Sequence, residues 1–109
     1  MDMVVGRFDV FLVNRAPAGD AENGKMGPGV VISPDEMNRH LQTVIIAPMA
    51  TAVSAYPTRV PCRFKRKEGQ IVLDQLRTVA KSSLIKKLGF IDAETQTSVL
   101  SVLQRLFAL

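Results

Sequence analysis

The sequence predicts a mainly β protein: a small, strongly curved antiparallel barrel, with one short helix inserted early and another at the end. Three observations predict it. The apolar segments are short and rich in β-branched and aromatic residues, which gives five or six strands. No strand–helix–strand alternation is visible, which argues against a parallel sheet. Sustained helical periodicity is clearest near the end, where Val99, Leu103 and Leu106 recur at spacings of four and three, flanked by Val102 and Phe107.

Phe8–Asn14 (FDVFLVN) reads as the first strand. Arg15–Gly29 holds four glycines and two prolines in fifteen residues and no apolar periodicity, so it reads as a long loop. Val30–Ile32 resumes strand character. Ser33 is expected to cap a short helix, with Pro34 at its first position and Glu36 completing a capping box. That helix ends near His40, whose charge would suit the negative end of the helix dipole. Thr43–Ala47 reads as a central strand and Met49–Ala55 as a second loop. Thr58–Phe64 and Ile71–Leu73 read as a hairpin, joined by a charged turn, Lys65–Gly69, in which Gly69 supplies backbone freedom. Asp74–Val79 continues in extended or irregular form. Lys81–Leu88 reads as a short helix stopped by Gly89. Asp92 caps the terminal helix.

The 109 residues are the size of one domain, taken as 1–109. A hydrophobic content of 47% and a charged content of 22% argue against a disordered chain. No apolar run approaches the length of a membrane span. Met1–Arg7 has no basic segment leading into a long apolar core, so it does not read as a signal peptide, and the cytoplasm is the expected compartment. One cysteine, Cys62, and one histidine, His40, exclude an internal disulfide, a zinc finger and any mechanism that needs a histidine pair. No metal or other cofactor is expected. Fourteen basic residues against ten acidic ones give a net charge of +4, mild support for a polyanionic partner.

At Gly27-Pro28-Gly29-Val30-Val31-Ile32-Ser33-Pro34, followed by Asn38 and then Val44-Ile45-Ile46-Ala47-Pro48-Met49, the chain resembles the MazF/PemK growth inhibitors, toxins of bacterial type II toxin–antitoxin modules. Asp9–Val13 is similar to the family's opening strand, Asp74–Val79 to its late motif, and Lys81-Ser82 with Leu84–Gly89 to the segment that follows. The resemblance covers almost the whole chain and rests on the order and spacing of these pieces rather than on any one of them. It implies an SH3-like barrel of the MazF/PemK/CcdB kind that forms a homodimer. It implies an endoribonuclease that cuts single-stranded RNA at short sequences without a metal, and an antitoxin protein whose extended segment covers the RNA groove. Operator DNA would be met only through the antitoxin complex.

Metal-free cleavage of RNA sets its own requirements. The ribose 2′-hydroxyl attacks the neighbouring phosphate, a base takes its proton, an acid protonates the leaving oxygen, and positive charge meets the phosphorane. The resemblance assigns the charge to an arginine before the proline of the second strand, helped by a threonine after the third. In this chain those catalytic positions are Gly27 and Ala50. Thr51 is adjacent, but a shift of one residue in extended chain turns its side chain the other way. Glu22 and Lys25, in the first loop, remain as a general base and a phosphate contact, or as solvated loop residues. Asp74 and Gln75 could read base edges and Arg77 could hold phosphate, unless Asp74 and Arg77 simply form an ion pair that braces the barrel.

Arg63, Lys65, Arg66 and Lys67 form the densest basic cluster, either a nucleic-acid contact or a solubilising turn. Tyr56 and Phe64 could stack on bases, with core packing the better reading for Phe64. Cys62 reads as packed rather than reactive. Val99, Leu103, Leu106 and Phe107 read as core or dimer interface. The expectation is a retained fold with its cleavage weakened or lost. The alternative is a non-enzymatic module that binds antitoxin, a paralogous toxin or nucleic acid and modulates operon repression. An SH3-like peptide binder unrelated to toxins is a third reading.

Overall fold

A computed structural model describes residues 4–14, 26–51 and 55–108. They form strands β1 (Asp9–Asn14), β2 (Met26–Val31), β3 (Thr43–Ala50), β4 (Arg59–Phe64), β5 (Lys67–Val72), β6 (Arg77–Ala80) and β7 (Leu84–Phe90), with helices α1 (Asp35–His40) and α2 (Ala93–Leu106). The strands make one antiparallel sheet in the order β4-β5-β3-β2-β1-β7, with β6 pairing separately on β3. β3 is the pivot. Its first half, Thr43–Ile46, pairs with β6, its end, Met49 and Ala50, pairs with β5, and Ile46–Pro48 pair with β2. A strand shared in this way bends the sheet into a curled half-barrel, as the sequence predicts.

Burial follows from side-chain alternation. Val10, Val30 and Ala47 turn to one face, where Ile71, Leu73 and the α2 residues Val99 and Val102 close the larger core. Phe11, Val31 and Ile46 turn to the other face, with Val13, Val44 and Leu84. Both faces carry buried apolar clusters, which is why the strands read as nearly continuous apolar runs. Asp92 caps α2 as expected, accepting a hydrogen bond from the Thr95 amide at 2.8 Å. Phe107 ends the helix and is 71% exposed, so it lies outside the core that Val99 and Val102 enter.

Several local expectations are corrected. Met26–Gly29 is strand rather than loop, because β1 supplies partners: Gly27 lies opposite Val13 and Pro28 opposite Leu12. The rest of the predicted first loop lies outside the described residues. Met49 and Ala50 extend β3 rather than open a loop. α1 begins one residue later than predicted, with Pro34 as its uncapped N-cap. Ser33 instead donates its hydroxyl to Asn38 Oδ1 at 2.6 Å and accepts from the Ile45 amide at 3.0 Å, tying α1 to β3. Lys81–Leu88 is not a helix. Lys81–Ser83 make a single 3-10 turn and Leu84–Phe90 add β7 to the edge of β1. Partners on β1 outweigh a local helical preference there.

The β4–β5 turn is shorter than expected. Phe64 pairs with Lys67, and only Lys65 and Arg66 form the loop, at φ +49° and +67°. Gly69 is inside β5, and a Cβ there would run into the Ala50 carbonyl. It is needed for close strand approach, not for a turn.

Candidate functional site

The β2–β3 ladder ends at Gly29 opposite Pro48. Two residues further along each strand stand Gly27 and Ala50. Alternation assigns both to the face of Val31 and Ile46. Arg77 pairs with Ile46 across β6 and shares that face, where it is exposed. The fold therefore gathers Gly27, Ala50 and Arg77 on one side of the sheet, although fifty residues of sequence separate the first from the last. Gly27 is buried, Ala50 is half-buried, and neither carries a group that ionises or donates. Glu22 and Lys25 lie outside the described residues.

Ala50 and Thr51 also line a cavity of about 110 Å³ at the end of the barrel, with Pro28, Cys62, Lys67 and Glu68. Thr51 is exposed there, just past the end of β3. Lys67 and Glu68 are the charged side chains lining this cavity. The sequence treats Lys67 as part of a basic turn and Glu68 as nothing special; the pairing of β5 on the end of β3, with Gln70 opposite Ala50, brings them to this end of the barrel. Gln70 is a further residue that the sequence did not single out. It pairs with Ala50 across β5 and is 1% exposed, a buried amide under the site. An amide in a strand that otherwise buries Ile71 and Val72 was the signal available.

Asp74 and Gln75 lie in a single 3-10 turn, Leu73–Gln75, after β5. Asp74 is not paired with Arg77. Its Oδ1 accepts from Thr58 Oγ1 at 3.1 Å and from Arg59 Nε at 3.3 Å. The Arg59 hydrogen bond is the main reason its carboxyl is held below the usual carboxylate range. The turn itself is set by the Leu73 amide, which donates to the Thr58 carbonyl at 3.2 Å. Gln75 and Arg77 are exposed, and Arg77 has no polar partner among the described residues.

The remaining residues singled out by sequence fall as follows. Arg63, Lys65, Arg66 and Lys67 are exposed around the β4–β5 turn, and Lys65 Nζ lies 6.0 Å from the Phe64 ring centre. Phe64 packs against the larger core. Cys62 is buried, and burial, with a smaller contribution from the Asp92 charge, pushes its thiol pKa up. Tyr56 is 60% exposed. His40 closes α1. Among the described residues no three His, Cys, Asp or Glu side chains gather as metal ligands do, and no helix is long and apolar enough to cross a membrane.

Residues 6–107 match the family described as PemK-like, MazF-like toxin of type II toxin-antitoxin system. The chain is 33% identical over 113 aligned positions to endoribonuclease EndoA of Bacillus subtilis (strain 168), an alignment that covers 98% of this chain and 97% of that one. The fold is similar to that of MazF from Deinococcus radiodurans, with a TM-score of 0.81 at 22% identity, covering 99% of this chain and 100% of the other. It is similar also to a mycobacterial endoribonuclease solved in complex with its cognate antitoxin, with a TM-score of 0.78 at 22% identity, covering 93% of this chain and 92% of the other.

Proposed function

Since the chain belongs to the PemK-like, MazF-like toxins of type II toxin–antitoxin systems, we propose that it retains the family's binding surfaces while its RNA cleavage is weak or lost. The observation that carries this reading is the pair Gly27 and Ala50. Strand alternation assigns both to one sheet face, each two residues past the Gly29–Pro48 pair, at the positions where the family resemblance places an arginine and a threonine, and neither side chain offers charge, acid or base. Removing one group that stabilises a transition state typically costs about 10²–10³ in rate. Two losses from one constellation need not multiply, since such groups act together.

The partners that follow are a second copy of the chain and an antitoxin protein, as in the complex of the mycobacterial relative. Single-stranded RNA is a third, and operator DNA is met only through the antitoxin complex. The whole chain acts as one toxin domain, in the cytoplasm, without a metal or other cofactor. Chemistry left at the site would fall to Arg77 for phosphate charge, to Thr51, to Gln75 for base contact, and to Glu22 and Lys25. Asp74 is occupied with Arg59 and holds the turn that carries Gln75.

A second reading is favoured by the same pair: a non-enzymatic module that binds antitoxin, a paralogous toxin or nucleic acid. One experiment separates the two. A long mixed-sequence single-stranded RNA is incubated with the purified chain and with the Gly27→Arg/Ala50→Thr variant, EDTA present throughout. The expected result is little or no cutting by the natural chain and recurrent cutting by the variant. A variant that stays folded yet inactive favours the binding module. Recurrent cutting by the natural chain overturns the loss of cleavage.

A further inference from the structure

A second concavity lies away from Gly27 and Ala50. It is an open groove of about 610 Å³ between β4 and α2, lined on one side by Tyr56, Arg59 and Pro61 and on the other by Ser98, Ser101 and Arg105. We propose that this groove is a second seat for single-stranded RNA, with a base stacked on Tyr56 and phosphates held by Arg105 and Arg59. The proposal rests on the reading of the chain as an RNA-handling toxin homologue and adds a surface outside its candidate site.

Arg59 is held in place before any ligand arrives. Its Nε donates to Asp74 at 3.3 Å, and its guanidinium lies 4.9 Å from the centre of the Tyr56 ring. Its two terminal nitrogens have no partner among the described residues and remain for an anion. The same contact fixes the Tyr56 ring, which is 60% exposed and so offers an aromatic surface to solvent. Across the groove, Ser98, Ser101 and Arg105 recur at three and four residues and form one stripe of α2. A planar ring, a braced guanidinium, a second arginine and two hydroxyls suit a base and its phosphodiester.

The backbone argues against the other natural occupant of such a groove, an extended peptide added to the sheet edge. Among the described residues β4 pairs with β5 alone, which leaves its outer edge without a strand partner there. The Thr58 carbonyl accepts from the Leu73 amide, so antiparallel alternation turns the backbone groups of Arg59, Pro61 and Arg63 outward. The Arg59 amide is already given to the Tyr56 carbonyl at 3.1 Å, and Pro61 has no amide hydrogen. A strand added there would find one amide donor where it needs three, so recognition passes to the side chains.

The test is the affinity of the full chain for a fluorescein-labelled single-stranded oligouridine, measured by anisotropy at several salt concentrations. Tyr56→Ala is expected to weaken binding about five- to a hundredfold. Tyr56→Phe, which keeps the ring, is expected to stay within about twofold of the natural chain. Arg105→Ala should lower the salt slope by about 0.7. Both positions are exposed, and unchanged thermal melts would verify the fold. Oligouridine binding that none of these variants alters overturns the groove and leaves the toxin reading intact. An absence of oligouridine binding by the natural chain overturns both. Binding of a glutamate-rich peptide, lost in Arg105→Ala while oligouridine binding persists unchanged, also overturns the proposal and assigns the groove to a protein partner.

Discussion

Asp74 holds Arg59 rather than Arg77, with Nε 3.3 Å from Oδ1 and Thr58 adding a second hydrogen bond to the same oxygen. A residue in the late motif thus braces β4, and Arg77 is left unpaired among the described residues on the face of Gly27 and Ala50. The pair is partly exposed, so it contributes about 0.5 kcal/mol. Its pH dependence is directional. The Asp74 carboxyl sits below its ordinary range, chiefly through the Arg59 hydrogen bond. Its stabilisation is present above the unfolded carboxylate value and is lost as pH falls through the lowered folded value. Asp74→Asn should therefore be slightly less stable than the natural chain at neutral pH, with the gap closing in acid. Urea melts across that range check it.

Asn38 joins α1 to β3 from within the core. It is 2% exposed, its Nδ2 donates to the Ser33 carbonyl at 3.0 Å, and its Oδ1 accepts from the Ser33 hydroxyl at 2.6 Å. Asn38→Ala leaves the Ser33 carbonyl and the Ser33 hydroxyl hydrogen without their Asn38 partners, although the hydroxyl oxygen still accepts from the Ile45 amide, and a loss of about 2–3 kcal/mol is expected. Chemical unfolding measures it, and a loss below about 0.5 kcal/mol would show that water replaces the amide.

Gly69→Ala drives a methyl group against the Ala50 carbonyl, a backbone atom that moves only if β3 and β5 part. The expected cost is about 1–3 kcal/mol. At Gly29 the nearest obstacles are the Ile46 and Val13 side-chain methyls, at 3.2 and 3.3 Å, which can turn aside. Gly29→Ala should be the milder change, and thermal melts of the two variants side by side test that order.

Cys62 is buried in β4, and burial first and the Asp92 charge second push its thiol pKa up. Little thiolate exists at neutral pH, and access is poor. The native chain should react slowly with iodoacetamide and quickly in urea. Equal rates in the two conditions would mean that β4 opens readily from the barrel.

The sequence was informative wherever one residue type answers to one local rule. Asp92 before a helix caps it because a side-chain oxygen meets the free amides of the first turn. Thr43–Ala47 is a central strand because β-branched residues buried on both faces fit little else. Ser33 carries the same capping chemistry as Asp92, yet its hydroxyl goes to Asn38 and Ile45, because a buried strand amide nearby competes for it. Gly69 reads as a turn residue in isolation and proves to be the place where two strands pass too closely for a Cβ.

Residue order alone established the mainly β fold and the absence of ionisable groups at Gly27 and Ala50, since strand patterning and side-chain identity are properties of the chain. Tertiary structure decided what stands beside what. Lys81–Leu88 became a turn and a strand because β1 had an open edge to pair with. Lys67, Glu68 and Gln70 came to Ala50 through the pairing of β5 on the end of β3, and Asp74 came to Arg59 through a turn anchored on Thr58. Each contact joins segments distant in sequence, and the register and burial that select it exist only once the sheet has curled.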